Sequence, residues 1–464
     1  MFWDPGLGKT ATVLHAFKAL RDAEEVETLL VLASKRIANK VWPDEIAKWG
    51  LGFRTAKILG TPQKRLAALK SECDVYLINY ENLAWLVNNW GYNNLGAVMM
   101  VCDESTKLKH TQRKRFKALR KILKCFHRRV ILTGTPIPNG MHDLFGQMYV
   151  VDQGESLGPY ITAYRNRYFH PTGYMGYKWE LNHGAEEDIY DAIEDRIHRV
   201  NADLSKLPPL KFVDRKISLP DKAWKQYVQM EQDYVTRVEE GLVTAANAAS
   251  ASSKLRQMAN GNVYAVDDGE DADLFDIIAN EKREIVPVHD EKTAELVELL
   301  EELQGMPALI SYEFTHDRLA ITKAILSSSL CTEMPKNSKG KYYVPYIGGG
   351  VPDKVANQYI DWWNSGVLPV LLGHPTSVAH GLNMQEVVAA VIYYALSYNL
   401  EEYDQFYKRV WRKGQKGTVY VYRIVAEDTV DEDMIEALKD KDHTQQSLLT
   451  AMRERTKRRS GGKR

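Results

Sequence analysis

The sequence predicts an α/β protein with two lobes, each built on a parallel β-sheet and joined by a helical linker and insertion. The chain has 464 residues, which is too many for one hydrophobic core. Short, continuously apolar runs alternate with helical spacing, as in parallel sheets that are covered by helices on both faces. This alternation occurs twice. We therefore expect a first lobe at 1–150, an insertion, linker and acidic loop at 151–285, a second lobe at 286–440 and a basic tail at 441–464.

The composition bears on possible partners, metal sites and the cellular compartment. Lys plus Arg equals Asp plus Glu at 61 each, but residues 107–129 contain 11 bases and no acid. Such a run is either a solvated face or a contact with a polyanion. The four cysteines are far apart without a C-x-x-C pair, which argues for a reducing compartment and against structural zinc. No apolar run has membrane length and no leader is visible, so we expect a soluble cytoplasmic protein.

The first element is predicted to be a phosphate-binding loop at Trp3–Thr10. Glycines let backbone amides approach phosphate oxygens, Lys9 supplies a positive charge, and the Thr10 hydroxyl can bind Mg²⁺. The helix expected at 11–21 would direct its N-terminus at the phosphates. The alternative is a chance Gly-Leu-Gly turn, because Trp3 stands where the strict pattern has its first glycine. The predicted nucleotide contacts here are Gly6, Leu7, Gly8, Lys9, Thr10 and Ala11.

Only Met1, Phe2 and Trp3 precede the Asp4–Thr10 part of this loop, whereas such a loop normally follows a buried strand. We expect that strand to be missing or very short, and the chain to be truncated at its N-terminus.

The next apolar run, Thr28–Ala33, is predicted to be a buried parallel strand, and a helix is expected at 37–49. Ser34 and Lys35 would lie at the carboxyl edge of the sheet, where ligands bind in open α/β folds. They are candidates for contacts with a nucleic-acid backbone. An ordinary solvated strand end is the alternative.

Strands are also predicted at 74–80 and 97–102, and the second leads into Asp103 and Glu104. Adjacent carboxylates at the end of a buried strand need compensation for their charge. A divalent ion supplies it if Asp103 binds Mg²⁺ while Glu104 orients and deprotonates the attacking water. Helix capping by Asp103 or Ser105 is the structural alternative.

One more strand, at 129–132, is followed by Thr133, Gly134 and Thr135 in a turn-rich segment. Three segments together resemble the motifs of superfamily 2 helicases. They are Gly-Leu-Gly-Lys-Thr, Asp-Glu-Ser-Thr-Lys-Leu-Lys and Leu-Thr-Gly-Thr-Pro-Ile-Pro-Asn. Among these helicases, they are most similar to the SWI/SNF-type DNA translocases. The resemblance implies that the Thr-Gly-Thr segment couples hydrolysis to movement.

The middle of the chain has less specific patterns. Tyrosines among bases at 151–200 are typical of either a small satellite core or a nucleic-acid surface. Pro208 and Pro209 mark a boundary, and the family has a similar element between its lobes. An amphipathic helix is predicted at 221–242, followed by a flexible joint or helical tip at 244–253.

The second lobe is predicted from helices at 291–303 and 316–326, a turn at 346–350, and strands at 308–312, 367–372 and 387–394. Farther along, Arg409 and Arg412 are three residues apart, so on a helix they would share one face. Two guanidinium groups suit the charge that develops on a γ-phosphate during hydrolysis. A surface salt-bridge pair is the alternative.

The family resemblance extends to this region. Gln405, Arg409 and Arg412 match its Q-x-x-x-R-x-x-R-x-G-Q motif, and Ser377 and Gly381 match the motif before it. Gly381 is thereby a predicted nucleotide contact, Gln405 a coupling residue and Ser377 a nucleic-acid contact. The chain departs from the family pattern at Trp411, where a histidine is usual, and at Ala379, where a glycine is common.

The resemblance implies two RecA-like lobes that hydrolyse ATP with Mg²⁺ and translocate on double-stranded DNA. Lys107 and Lys109 are then candidate contacts with the DNA backbone. Two alternatives remain. A helicase that separates RNA or single-stranded DNA would share the catalytic residues, and an inactive binding module would result if the N-terminal truncation prevents the loop from folding.

Overall fold

The computed structural model describes residues 1–4, 6–92, 95–138, 140–172, 178–201, 203, 207–239, 245–265, 284–378, 382–397, 399–440 and 455. The chain divides into two compact units, Met1–Leu204 and Ser205–Arg464. Each contains a parallel sheet, which confirms the predicted α/β fold class. None of the described helices combines the length and apolar character that crossing a bilayer requires.

The first unit is built on a five-stranded sheet in the order β3-β4-β2-β5-β6, in which every pair is parallel. The strands of this unit are β1 (Phe2–Trp3), β2 (Thr28–Ala33), β3 (Thr55–Ile58), β4 (Val75–Asn79), β5 (Val98–Asp103), β6 (Phe126–Leu132), β7 (Phe169–Thr172), β8 (Lys178–Leu181) and β9 (Arg199–Val200). Its helices are α1 (Lys9–Asp22), α2 (Trp42–Lys48), α3 (Pro62–Lys70), α4 (Leu83–Asn88), α5 (Lys114–Ile122), α6 (His142–Asp152), α7 (Ile161–Tyr168) and α8 (Ala185–Ile193).

The apolar strands of this sheet are covered on both faces. In β2, Leu30 and Leu32 belong to one hydrophobic cluster, whereas Leu29 and Val31 belong to a second cluster. Successive side chains of a strand point to opposite faces, so both faces must be apolar. This is why the continuous apolar runs predicted the strands correctly.

The second unit has a six-stranded parallel sheet in the order β10-β17-β16-β13-β15-β14. The strands of this unit are β10 (Leu210–Ile217), β11 (Asn262–Tyr264), β12 (Ile285–Pro287), β13 (Ala308–Ser311), β14 (Tyr346–Ile347), β15 (Val370–Gly373), β16 (Ala390–Tyr393) and β17 (Val419–Ala426). Its helices are α9 (Asp221–Glu239), α10 (Ala245–Ala259), α11 (Glu291–Glu302), α12 (Thr315–Ser327), α13 (Asp353–Asn364), α14 (Pro375–Val378), α15 (Leu400–Tyr407) and α16 (Val430–Asp440).

The structure divides the chain differently from the predicted boundaries. Tyr164 and Tyr168, expected in the insertion at 151–285, are instead buried in the core of the first unit. This supports the satellite-core interpretation for those two tyrosines. The linker instead belongs to the second unit, because β10 pairs along its full length with β17. The acidic segment at 267–276 lies outside the described residues.

One local prediction needs correction, because the predicted turn at 346–350 begins with the edge strand β14. For 244–253 the sequence left open a flexible joint or a helical tip, and α10 covers 245–253, in agreement with the helical alternative. In the tail, Arg455 is the only residue after 440 that the structure describes. It is buried and pairs with Glu231 at 2.5 Å and with Asp433 at 2.7 Å. At this position the tail is part of the second unit.

Candidate active site

The phosphate loop follows a real but very short strand. β1 has two residues and pairs in parallel with β9, and Phe2 also bridges to Thr133 at the end of β6. Backbone hydrogen bonds hold it in place, from the Phe2 amide to the His198 carbonyl (2.9 Å) and from the Asp4 amide to the Val200 carbonyl (3.0 Å). The loop is therefore anchored beside the main sheet.

Two glycines of the loop have positive φ angles. Gly6 and Gly8 have φ values of +84° and +80°, which other residues rarely adopt. α1 begins directly after Gly8, and no side chain caps it. The first amides of a helix have no partner within the helix, so this N-terminus can donate hydrogen bonds to phosphate oxygens.

Lys9 lies inside the loop. Its ammonium donates to the carbonyls of Trp3 at 2.8 Å and Asp4 at 3.3 Å. These are weakly basic neutral acceptors, which a phosphate oxygen can replace with a stronger, charge-assisted bond. The loop thus keeps Lys9 close to where a triphosphate would bind.

Asp103 is the last residue of β5 and is buried. Its carboxylate accepts a hydrogen bond from Trp42 Nε1 at 2.9 Å, and its carbonyl accepts one from the Tyr80 hydroxyl at 2.8 Å. Burial raises the pKa of Asp103 above its usual range, while the Trp42 bond and the positive charge of Lys9 oppose that rise. The influence of Lys9 indicates that the loop and this carboxylate belong to one electrostatic environment.

Glu104 has φ +56° and ψ +61°, the left-handed conformation that glycine normally adopts. For another residue this conformation costs on the order of 1–3 kcal/mol, and such strain is concentrated at functional sites. A short 3₁₀ turn, Ser105–Leu108, follows directly. The backbone at Glu104 therefore sets how this turn leaves the sheet.

Thr133 is fully buried, and its hydroxyl oxygen accepts a hydrogen bond from the Thr135 amide at 3.1 Å. Because Thr133 also bridges to Phe2, the Thr133–Thr135 segment lies next to the strand that carries the phosphate loop. The loop, the Asp103–Glu104 pair and the Thr133–Thr135 segment thus meet at the carboxyl edge of one sheet.

Four side chains of this unit have the chemistry to bind a nucleotide with Mg²⁺. They are Lys9, Thr10, Asp103 and Glu104. No group of three or more His, Cys, Asp or Glu side chains among the described residues is arranged to hold a metal by itself. At phosphates, proteins commonly hold Mg²⁺ through one or two protein oxygens, water and the phosphates themselves. Thr10 and Asp103 are the protein ligands that this site can offer.

Gln147 contacts two segments of the candidate site, and the sequence analysis did not single it out. It lies on α6, is fully buried, and its amide contacts the segments that follow both β5 and β6. A signal was present, because a glutamine in the apolar run from Leu144 to Val151 must find buried hydrogen-bond partners.

In the second unit, the helical prediction for the two arginines is wrong. α15 ends at Tyr407, and Arg409 and Arg412 lie in the turns that follow it. They nevertheless reach one segment, since Arg409 Nη1 donates to the Leu382 carbonyl at 3.5 Å and Arg412 Nη1 to Asn383 Oδ1 at 2.9 Å. Turn geometry rather than helical spacing brings them together.

The other predicted residues of this unit have varied surroundings. Gln405 is buried on α15 and donates to Glu401 Oε1 at 3.1 Å. Trp411 donates to the Pro208 carbonyl at 2.8 Å, so the departure from the family histidine ties this turn to the linker. Gly381 and Ala379 lie outside the described residues.

The predicted nucleic-acid contacts differ in exposure. Lys35 is exposed, whereas Ser34, Lys107 and Ser377 are half-buried. Lys109 does not fit the prediction well, because its ammonium pairs with Asp143 at 3.0 Å and its side chain is only 14% exposed. This ion pair joins the 3₁₀ turn region to α6 and leaves little of Lys109 for a phosphate.

The whole sequence is similar to several known proteins. The sequence profile of the SNF2-related domain matches residues 1–263. Protein p41 of Acyrthosiphon pisum secondary endosymbiont phage 1 is 33% identical over 473 residues, which cover 97% of this chain and 93% of that protein. The DNA repair and recombination protein RAD54-like of Gallus gallus is 23% identical over 476 residues, covering 93% of this chain.

The chain spans 61% of the length of that RAD54-like protein. A solved structure, the Sulfolobus solfataricus SWI2/SNF2 ATPase core in complex with dsDNA, aligns with 20% identity and a TM-score of 0.38. That alignment covers 97% of this chain and 89% of the solved chain.

Proposed function

The chain belongs to the SNF2-related family, and on that premise we propose that it is an ATP-hydrolysing motor that translocates on double-stranded DNA. The observation that carries this proposal is the meeting of the phosphate loop, Asp103–Glu104 and Thr133–Thr135 at one sheet edge. A phosphate cradle, a metal-binding carboxylate and a base for water are the parts that phosphoryl transfer to water requires.

In the first unit, the amides after Gly8 and the ammonium of Lys9 hold the β and γ phosphates. Thr10 and Asp103 would hold Mg²⁺, which would neutralise charge on the phosphate oxygens. Glu104 accepts a hydrogen bond from the attacking water and takes its proton.

The second unit contributes Arg409 and Arg412. Their guanidinium groups stabilise the negative charge that develops on the γ-phosphate, which in related chemistry accelerates hydrolysis by about 10³ to 10⁵. Because groups from both units are needed, hydrolysis responds to movement between them, and each cycle shifts a bound nucleic acid. The match of Gln405, Arg409 and Arg412 to the family motif supports this assignment.

Double-stranded DNA is the proposed track. Its support is the similarity to RAD54-like proteins, which are named for DNA repair and recombination, although this chain spans only part of their length. We expect side chains such as Lys35 and Lys107 to bind the DNA backbone electrostatically, so the affinity for DNA should fall steeply as the salt concentration rises.

The test is ATP turnover without nucleic acid and with duplex DNA, single-stranded DNA or RNA. We expect the largest stimulation by duplex DNA, and its loss in Lys9→Ala. The matched control is Lys18→Ala on the same helix, where the lysine is exposed and pairs with Asp22, and it should retain turnover. Stimulation by single-stranded DNA or RNA alone would identify a strand-separating helicase, and full turnover in Lys9→Ala would refute the assigned site.

A further inference from the structure

Gln147 makes an unusual number of contacts for a residue in an apolar helix. Its Oε1 accepts a hydrogen bond from the Ser105 hydroxyl at 2.6 Å. Its Nε2 donates to the carbonyls of Pro136 at 2.6 Å and Asp143 at 2.8 Å. The side chain is fully buried, so water does not compete for these bonds.

The partners fix the orientation of this amide. A carbonyl can only accept, so the nitrogen must face Pro136 and Asp143, and the oxygen must face the Ser105 hydroxyl. The alternative, flipped amide would set oxygen against two carbonyl oxygens. Gln147 therefore has one arrangement that satisfies all three partners.

These partners belong to the two motif segments of the candidate active site. Ser105 directly follows Glu104, and Pro136 directly follows the Thr133–Thr135 segment. Gln147 thus joins the loop after β5 to the loop after β6 by hydrogen bonds.

Helix α6, which carries Gln147, packs closely against the turn that follows Glu104. A Cβ atom at Gly146 would lie 2.5 Å from the Leu108 carbonyl oxygen and 2.7 Å from that of Lys109. Lys109 also pairs with Asp143 at 3.0 Å. Positions 143, 146 and 147 share one face of α6 by their spacing, so this face docks on the segment after Glu104.

We propose that Gln147 is a positioning residue for the hydrolytic reaction, which holds the Glu104 segment and the Thr133–Pro136 segment in one fixed arrangement. This inference rests on the proposed function. Glu104 has a strained backbone that persists only where its surroundings hold it. The bond from Ser105, one residue later, supplies such a restraint, and the bond to Pro136 transmits any shift of one segment to the other.

The test compares four variants by turnover at saturating ATP with duplex DNA, by nucleotide affinity and by thermal unfolding. Gln147→Leu removes the whole bridge, Ser105→Ala removes one bond with little change of volume, and the third variant combines them. The fourth, Met148→Leu, is the control for packing, because Met148 is the fully buried neighbour on α6 and this exchange conserves volume.

We expect kcat to fall by about 10- to 100-fold in Gln147→Leu, as is typical when a residue that orients a catalytic group is removed. Nucleotide affinity should stay near the wild-type value. The combined variant should lose little more than Gln147→Leu alone, since both changes break the same connection, and Met148→Leu should keep its turnover.

A wild-type kcat in folded Gln147→Leu and Ser105→Ala would overturn the inference. So would losses that multiply in the combined variant, or a loss of kcat that only follows a loss of folded protein. Absence of turnover in the wild type would refute the proposed function itself, whereas turnover that Gln147→Leu leaves intact refutes this inference alone.

Discussion

The contact between α6 and the turn after Glu104 leads to a sharp prediction for Gly146→Ala. In an ordinary helix this change stabilises the protein by about 1 kcal/mol, because glycine is a poor helix former. Here the added Cβ would be 2.5 Å from the Leu108 carbonyl oxygen, about 0.9 Å closer than an ordinary contact at 3.4 Å. Both nearest atoms are backbone oxygens, which no rotamer change can move aside.

Relief of this clash requires α6 and the turn to separate. Overpacking of this kind costs about 1–3 kcal/mol, so the helix-propensity gain is cancelled and the net loss is about 0–2 kcal/mol. The larger effect should be on catalysis. A displacement approaching 1 Å at a catalytic group costs about 100-fold in rate, so we expect kcat to fall by about 10- to 100-fold with a modest change in stability.

The assay is duplex-stimulated ATP turnover together with urea unfolding, with Gly91→Ala as the control. Gly91 lies in the same unit, and a Cβ there has no atom within 4 Å, so its turnover should match the wild type. The reasoning would be refuted if Gly146→Ala raised stability by the usual amount for a helix and kept its turnover.

Three further predictions concern charge and strain. Lys109→Ala should lower the free energy of unfolding by about 3–5 kcal/mol, because it removes the ammonium that pairs with the buried Asp143 carboxylate. If Lys109 instead contacts DNA phosphate, the slope of binding against salt should fall by about 1 with stability unchanged. Glu104→Gly should abolish turnover yet raise the unfolding free energy by about 1 kcal/mol, since relief of left-handed strain exceeds the entropy cost of glycine, and lower stability would contradict this. Burial raises the pKa of Asp433 in the folded protein to about 6, so the folded state binds this proton more tightly than the unfolded state does. The stability that the bound proton contributes is present in acid and is lost as the pH rises through 6. The free energy of unfolding of Asp433→Asn, measured with urea, should therefore rise relative to that of the wild type by up to about 3 kcal/mol between pH 4 and pH 7. A difference between the two proteins that stays constant with pH would exclude the effect. The charged neighbours of this carboxyl are Arg455, Glu231 and Glu436.

Part of the fold was predictable because a strand covered on both faces of its sheet is continuously apolar. Thr28–Ala33 was predicted with the observed bounds, since both faces of the sheet demand apolar residues. β10 and β17 were missed. The side chains of β10 are mostly exposed or half-buried at the edge of its sheet, so the strand lacks a continuous apolar run. β1 is too short for any periodicity, and only its pairing with β9 and its bridge to Thr133 define it.

The candidate site was predictable where function depends on local sequence. The phosphate loop and the Asp103–Glu104 pair are each contiguous, and both lie at the predicted sheet edge. Gln147 is 42 residues from its partner Ser105, and no spacing rule connects such positions. The arginines show the opposite error, because a helical spacing was assumed for residues that follow the end of a helix. Long-range hydrogen bonds and helix ends depend on packing, which a single sequence does not specify.

We propose from the family motif that Arg412 serves the same hydrolytic reaction as Lys9. The most direct test is the rate of ATP hydrolysis with duplex DNA in Arg412→Ala, beside Lys413→Ala as the control, because Lys413 is exposed in the same turn. We predict that Arg412→Ala loses about 10³-fold or more in kcat while it still binds nucleotide, and that Lys413→Ala retains its activity. Unchanged hydrolysis in Arg412→Ala would contradict the claim.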